Sequence, residues 1–339
     1  MTKKTLRTIQ DLIKADLIDS QDIKKMSQLK KKYAIAIPSE VAELIHSRED
    51  PIGLQYIPHI SELVTHTREI SDPIGDESLS PIRGIVHRYP DRALLKPILM
   101  CPVYCRFCFR REHVGLKDGV LNDHDLSQAI EWIKTHENIE EIILSGGDPL
   151  LLSPRRLKFI IAELSRIDHI KIIRIHTRMP FSTPSKITAS LIDALSTDKA
   201  LWVVVHANHP LEFTEKAFHA VQHFTKAGIP MLSQSVLLKN VNDDATVLET
   251  LFKKFLTWKI KPYYLHQLDH APGTYRFYVP IEQGQKILRT LRGRITGLAW
   301  PTYVLDIPGG YGKVPIGPIY YHNDEPDTVL DPSQRKRCT

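Results

Sequence analysis

Three of the four cysteines in this 339-residue chain stand within eight positions, in Cys101-Pro-Val-Tyr-Cys105-Arg-Phe-Cys108; the fourth, Cys338, is the penultimate residue. Three thiolates on one short loop can hold three corners of an iron–sulfur cluster and leave its fourth iron open for chemistry. A structural zinc site and a chance grouping are the other readings. Zinc ordinarily takes four protein ligands from paired motifs, and the sequence offers no second pair. Two glycine-rich segments could also carry chemistry. Gly146-Gly147 would let a ligand approach backbone that a Cβ would shield, although such a pair is more often a plain turn. The segment Asp306-Ile-Pro-Gly309-Gly310-Tyr-Gly312-Lys313 presents a lysine on a glycine-lined turn. A lysine there could condense with an aldehyde cofactor, and the glycines would let a flat ring lie close to the backbone. A solvated surface lysine is the plainer reading, and the spacing is not that of a phosphate-binding Walker loop.

These groups need elements to bring them together. From residue 92 onward, apolar β-branched runs recur. Arg92–Leu99, Glu141–Leu144, Lys171–His176, Trp202–His206, Met231–Leu238 and Pro262–Gln267 read as buried strands, and Thr302–Leu305 is strand-like beyond them. Asp123 or Asp125 can cap a helix over Leu126–His136, Ser153-Pro154 opens one through Ile167, and Thr183-Pro184 opens another through Leu195. Thr214 starts a helix that stops at Gly228, and residues 245–259 and 281–295 are helical by the same signals. One strand in about thirty residues is the length of a βα unit, which implies parallel pairing and right-handed crossovers. Six such repeats predict a partial TIM-type (βα)6 barrel, with a doubly wound open sheet as the alternative; both gather ligands at the C-terminal ends of their strands. Those ends are polar on all six. The cysteines follow the first strand and Ser145-Gly-Gly-Asp148 the second; His176-Thr177-Arg178, His206-Ala-Asn208-His209, Gln234-Ser235 and His266-Gln267-Leu-Asp269 mark the others. One histidine in such a place is ordinarily a core residue, but six strands ending this way predict a site.

Composition narrows the classes. With 42% hydrophobic residues the chain can bury a large core. No apolar run approaches the roughly 18 residues that cross a bilayer, and Met-Thr-Lys-Lys-Thr-Leu-Arg lacks the apolar core of a signal peptide. Clustered unpaired cysteines fit a reducing cytoplasm. A formal charge of +6, from 45 basic and 39 acidic residues, is spread along the chain and suits anionic ligands in a basic site as well as it suits nucleic acid, so neither nucleic acid nor membrane is expected as a partner. Residues 1 to about 70 are polar and helical in pattern, with Ile9, Leu12, Ile13 and Leu17 on one face and Val41, Leu44 and Ile45 on another. Lys24-Lys25 and Lys30-Lys31-Lys32 read as a solvated face. Prolines 51, 58, 73 and 81 then mark an irregular linker.

The cysteine loop resembles the cluster motif of the radical S-adenosylmethionine (SAM) superfamily, and the wider pattern resembles its lysine 2,3-aminomutase family. The matching segments are His87-Arg88-Tyr89-Pro90-Asp91-Arg92, the cysteine loop through Arg110-Arg111, Ser145 to Asp148, His206 to Pro210, Ser233 to Leu238, Asn242-Asp243, Pro262 to Asp269, and Asp306 to Lys313. They run from about residue 80 to 316 without large gaps. On this resemblance residues 1–80 are a helical cap and linker, 81–316 a radical SAM core whose end binds pyridoxal 5′-phosphate, and 317–339 a short tail.

The resemblance implies three cofactors. Cys101, Cys105 and Cys108 would bind a 4Fe-4S cluster whose open iron chelates S-adenosyl-L-methionine. Gly146, Gly147 and Asp148 would lie along the methionine part of that ligand, with Arg178, His206 and Gln234 nearby. Lys313 would carry pyridoxal 5′-phosphate, and Arg88, Tyr89 and Arg92 would surround it, the arginines suiting a phosphate dianion. Arg110 would clamp the substrate carboxylate, and Asp269 with Asp306 would take the distal ammonium of L-lysine. The implied reaction is a 1,2-amino shift giving β-lysine, an isomerase activity fed by a one-electron reductant of the flavodoxin or ferredoxin type. A homo-oligomer is possible within the family. Longer members carry a cysteine-bound zinc in a C-terminal extension; this chain offers only Cys338, so no zinc is expected. The short length resembles the branch that makes (R)-β-lysine for modification of elongation factor P, whereas Asp306-Ile-Pro-Gly-Gly is nearer the enzymes of free lysine. A radical SAM enzyme of other chemistry, without pyridoxal phosphate, is the alternative that Lys313 would discriminate.

Overall fold

The computed structural model describes residues 4–19, 21, 23–115, 119–320, 324–325, 328–332 and 335–338. Four short helices lead in: α1 (Ile9–Lys14), α2 (Ile23–Lys32), α3 (Ser39–Ala42) and α4 (Gly53–Tyr56). Thr8 caps α1 in a reciprocal box with Asp11, which satisfies backbone donors at the helix start. Ile9, Leu12, Met26, Ile37, Val41 and Tyr56 bury a separate small core, and Val103 of the cysteine loop packs into it. The cap is thereby joined to the catalytic half through that loop.

The main sheet has nine strands: β1 (Ile85–Tyr89), β2 (Arg92–Ile98), β3 (Glu141–Gly146), β4 (Ile172–Thr177), β5 (Ala200–His206), β6 (Met231–Val236), β7 (Ile260–His266), β8 (Thr302–Ile307) and β9 (Gly312–Pro315). They lie side by side in chain order. β2 through β8 pair in parallel, while β1 and β9 run antiparallel at the two edges. Seven parallel strands therefore replace the six expected. Thr302–Ile307 is the seventh, in register with β7 through Tyr264 and Thr302. β1 was not foreseen, because His87-Arg88-Tyr89 breaks the apolar run; Pro90 and Asp91 turn it directly into β2. The edge strands meet through side chains. The Lys313 N–H donates to the Tyr89 hydroxyl at 2.8 Å, and Arg88 Nη1 reaches Asp306 Oδ1 at 3.2 Å. The sheet is a nearly closed α/β barrel latched at that seam.

Helices α5 (Asp123–Lys134), α6 (Pro154–Ser165), α9 (Glu215–Lys226), α10 (Ala245–Thr257) and α11 (Ile281–Leu291) cover the outside, with the short α7 (Met179–Ser182) and α8 (Ala189–Asp193) between α6 and α9. Asn122, not Asp123 or Asp125, caps α5, accepting from the Asp125 N–H. The single helix expected over 183–195 is broken. Pro184 disfavours helical backbone at Thr183, which sits at φ −145°, ψ 59°, and Thr188 restarts the chain as the cap of α8. Ile142, Leu144, Ile173, Ile175, Val203 and Val205 pack outward on the helices in one continuous core, which leaves the alternate residues of each strand facing the barrel interior. β10 (Thr328–Leu330) and β11 (Lys336–Cys338) form a separate hairpin, with Cys338 exposed.

Candidate active site

Inside the barrel lies a cavity of about 880 Å³, lined by the cysteine loop and by Asp306 and Lys313 among others. The loop is built inside out. Cys101, Cys105 and Cys108 are half-buried and line the cavity, while Val103, Tyr104, Arg106 and Phe107 between them are buried in the protein. Backbone N–H groups of Tyr104 and Arg106 donate to the carbonyls of Ala36 and Gln55, at 3.1 and 2.8 Å. Phe107 packs on Phe277 and Leu238. Each intervening side chain anchors the loop, so the sulfurs are left facing the cavity.

Beneath the loop, Glu62 is 1% exposed and receives three arginines. Arg106 Nε lies 3.0 Å from Oε2, Arg111 also bonds that oxygen, and Arg276 stands 3.6 Å from Oε1. Burial alone would raise the Glu62 pKa, but Arg106 and Arg111 outweigh it and hold the carboxyl at about 2. Burial pushes the thiols up, Cys108 to about 11 with the charge of Cys105 adding to the effect. Bare thiolates are therefore disfavoured unless cationic iron joins them. Among the described residues no three His, Cys, Asp or Glu side chains converge on a single ion. A mononuclear zinc site does not fit, whereas a cubane takes one thiolate per iron and needs its sulfurs spread apart.

The glycine pair owes its composition to packing. A Cβ on Gly147 would lie 2.2 Å from the Met100 carbonyl oxygen, and one on Gly146, at φ +103°, 2.7 Å from that of Ile98. The end of β2 and Met100 after it occupy the place of a Cβ, and both glycines also line the cavity. Asp148 is buried with its carboxylate engaged: Thr177 Oγ1 donates to it at 2.8 Å and the Arg178 N–H at 2.8 Å. Burial raises its pKa to about 6 against those bonds. Arg178 is likewise committed, to Glu212 at 2.6 Å, to Gln55 at 2.8 Å and to the Cys105 sulfur at 3.3 Å. His206 Nε2 meets Asn208 Oδ1 at 3.1 Å, and Gln234 lines the cavity from β6.

At the β8–β9 end of the sheet Lys313 does not sit on the turn that the glycines suggest. It lies in β9 opposite Asp306, with which its ammonium forms a short ion pair. The turn's glycines pack on the linker instead, with Gly310 against Gly75. Asp306, expected with Asp269 at the distal ammonium of lysine, is shared here by Lys313 and Arg88. Asp269, after β7, has no side-chain hydrogen bond among the described residues. Burial, with the charge of Asp306 second, pushes its pKa up to about 7, against the pull of Lys313 and Arg110. Arg110 Nε donates to Asp76 at 2.6 Å. Asp76, in the linker, gave no sequence signal; burial would raise its pKa, but Arg110 brings it to about 2. Arg92 stacks on the Tyr89 ring at 3.9 Å. The buried Arg88 Nε and His176 Nε2 have no hydrogen-bond partner among the described residues. Burial, with Arg174 and His266 nearby, keeps His176 neutral well below its ordinary pKa. Glu141, Arg174, Trp202, Tyr263 and Tyr264 also line the cavity, lower in the barrel, and went unnoticed; their signal is the alternation of polar residues within strands.

A loop of three cysteines beside an α/β barrel cavity has known counterparts. Residues 95–251 match the model of the Radical SAM superfamily, and the chain is a radical SAM enzyme, which works with a 4Fe-4S cluster and S-adenosylmethionine. Residues 288–331 match the model described as Lysine-2,3-aminomutase. L-lysine 2,3-aminomutase of Clostridium subterminale is 36% identical, over 97% of this chain and 79% of its own. A putative L-lysine 2,3-aminomutase of Aquifex aeolicus is 39% identical, over 94% and 86%. Glutamate 2,3-aminomutase of Clostridioides difficile is 34% identical, over 83% and 66%. The chain belongs to the lysine 2,3-aminomutase family, a family of isomerases. Among the described residues no helix is long and apolar enough to cross a membrane.

Proposed function

We propose that this chain moves the α-amino group of L-lysine to C3, giving β-lysine, with pyridoxal 5′-phosphate on Lys313 and the cluster on Cys101, Cys105 and Cys108. The observation that carries this reading is that one cavity is lined both by Cys101, Cys105 and Cys108 and by Lys313. The residues present fit both groups. The cysteines offer three soft donors in the wall. Around Lys313 stand Arg88, whose Nε is buried without a hydrogen-bond partner among the described residues, Arg92 and Tyr89, an array suited to a phosphate dianion. When bound, the cofactors supply an electron, a primary carbon radical and a π system that can spread the unpaired electron while nitrogen changes carbons.

The chain's residues bind, orient and exclude. Arg110, fixed by Asp76, would take the substrate carboxylate. Asp269 would take the distal ammonium, whose charge favours the ionised carboxylate and draws its pKa down from about 7. The same carboxylate repels a substrate with a distal acid, and this supports lysine over glutamate within the family. Buried aromatic and aliphatic walls, among them Phe107 and Leu268, keep water from a reactive carbon radical.

Anaerobically reconstituted, reduced protein, given S-adenosylmethionine, pyridoxal phosphate and a panel of amino acids, should form the β-isomer of lysine by mass spectrometry. Borohydride should fix the cofactor on Lys313 and not on the Lys313→Ala variant. Trapping that persists in the variant would place the cofactor on another residue, and a β-isomer from glutamate in preference to lysine would overturn the substrate assignment.

A further inference from the structure

Arg178 follows β4 on the cavity rim and is 7% exposed. Its guanidinium makes bonds in two directions. Nη1 donates to the Cys105 sulfur at 3.3 Å; Nη2 donates to Gln55 Oε1 at 2.8 Å and Glu212 Oε2 at 2.6 Å. The ring of Tyr56 lies 5.0 Å from the guanidinium carbon and that of Phe107 5.6 Å. Its own backbone N–H is tied to Asp148 at 2.8 Å. Glu212 is fixed in turn, accepting the backbone N–H groups of Asn208 and His209 at 2.7 and 2.9 Å. An arginine held this way cannot swing freely to a diffusible ligand. It is fixed on the sulfur.

Hydrogen bonds and charges at the sulfurs set the reduction potential of an iron–sulfur cluster. The reaction needs a cluster that accepts one electron from an external one-electron donor, and that electron adds a negative charge beside Cys105. A buried guanidinium stabilises the reduced state, and the Glu212 carboxylate, 2.6 Å behind it, partly offsets that effect. We propose that Arg178 sets the reduction potential of the cluster through Cys105, with Glu212 as counterweight and Gln55 of the cap as its support. This gives Arg178 a role distinct from contacting S-adenosylmethionine. It rests on the cluster reading of the three cysteines.

The test is a potentiometric titration of the reconstituted full chain, followed by electron paramagnetic resonance, with no S-adenosylmethionine added. R178Q should lower the midpoint, reducing the one-electron equilibrium constant about tenfold, or about 59 mV. R178K should lower it less, since the charge remains. E212Q should raise it, since the offsetting charge goes, whether its one amide oxygen accepts from the guanidinium or from the Asn208 and His209 N–H groups. Opposite shifts in R178Q and E212Q support the proposal, because loosened packing has no reason to move the two apart. Unmoved midpoints, or shifts of the same sign, in variants that hold a full complement of iron overturn it. If R178Q takes up no cluster, E212Q decides alone: a raised midpoint supports the proposal and an unmoved one overturns it. A wild-type chain that takes up no iron overturns the cluster reading, and this inference with it.

Discussion

The two walls of the cavity are built on different principles. Around the cysteines, buried arginines meet buried carboxylates, Arg106 and Arg111 on Glu62, Arg178 on Glu212, Arg110 on Asp76, with guanidinium groups in excess. That excess complements three thiolates. Around Lys313, by contrast, Asp269 stands without a side-chain hydrogen bond among the described residues, and Arg88 Nε and His176 Nε2 are buried and unmatched. Around the cysteines single arginine nitrogens, Nε of Arg111, Arg178 and Arg276, are unmatched as well among the described residues, so the contrast lies in the carboxylates. On the first wall Glu62, Glu212 and Asp76 are each paired with arginine, and on the second Asp269 has no such bond among the described residues.

The comparison can be broken at its strongest point first. Cys105→Ala should lose the cluster, with iron content falling far below four per chain and β-isomer formation to background; retained iron would show that this wall holds it some other way. Next in size is Glu62→Gln. Taking the carboxylate from three buried arginines should cost roughly 3–5 kcal/mol of stability, read by denaturant unfolding. The same carboxyl sets a pH window. Its pKa is about 2 in the fold against an ordinary 4.5, so its stabilisation is complete above pH 4.5 and is lost as pH falls toward 2. The variant should lack that acid-sensitive increment.

On the second wall the effects are smaller and concern ligands. Asp269→Asn should weaken lysine roughly 10- to 100-fold, in line with about 1.5–3 kcal/mol for a charged hydrogen bond, and leave the melting temperature nearly unchanged. A large drop in melting temperature would mean that this wall too is structural. The smallest effect is in pH. With its pKa near 7 in the fold, Asp269 is neutral below that value, so lysine binding by the wild type should strengthen as pH rises through about 7. The Asp269→Asn variant should show no such rise; an unchanged profile would assign the titration to another group.

Much of the barrel is legible in the sequence because its signals are local. Six parallel strands show as apolar runs, and Ser153 and Thr214 cap their helices where the pattern places them. What escapes depends on distance along the chain. Glu62 meets Arg106 44 residues away, Arg110 meets Asp76 34 residues away and Arg178 meets Gln55 across 123. No spacing rule links such partners. Lys313 looked like a turn residue because three glycines precede it, but pairing with β8 draws it into a strand. Asp306 and Asp148 stand where the motif puts them, yet their carboxylates are already engaged within the protein.

The anchoring of the cysteine loop also separates support from ligation. Ala36, Gln55 and Glu62 before it, and Leu238, Gly273 and Phe277 after it, hold its backbone, its arginines or its phenylalanine rather than a sulfur. In small zinc domains the metal holds the fold together; here the loop is held by contacts that leave the sulfurs out.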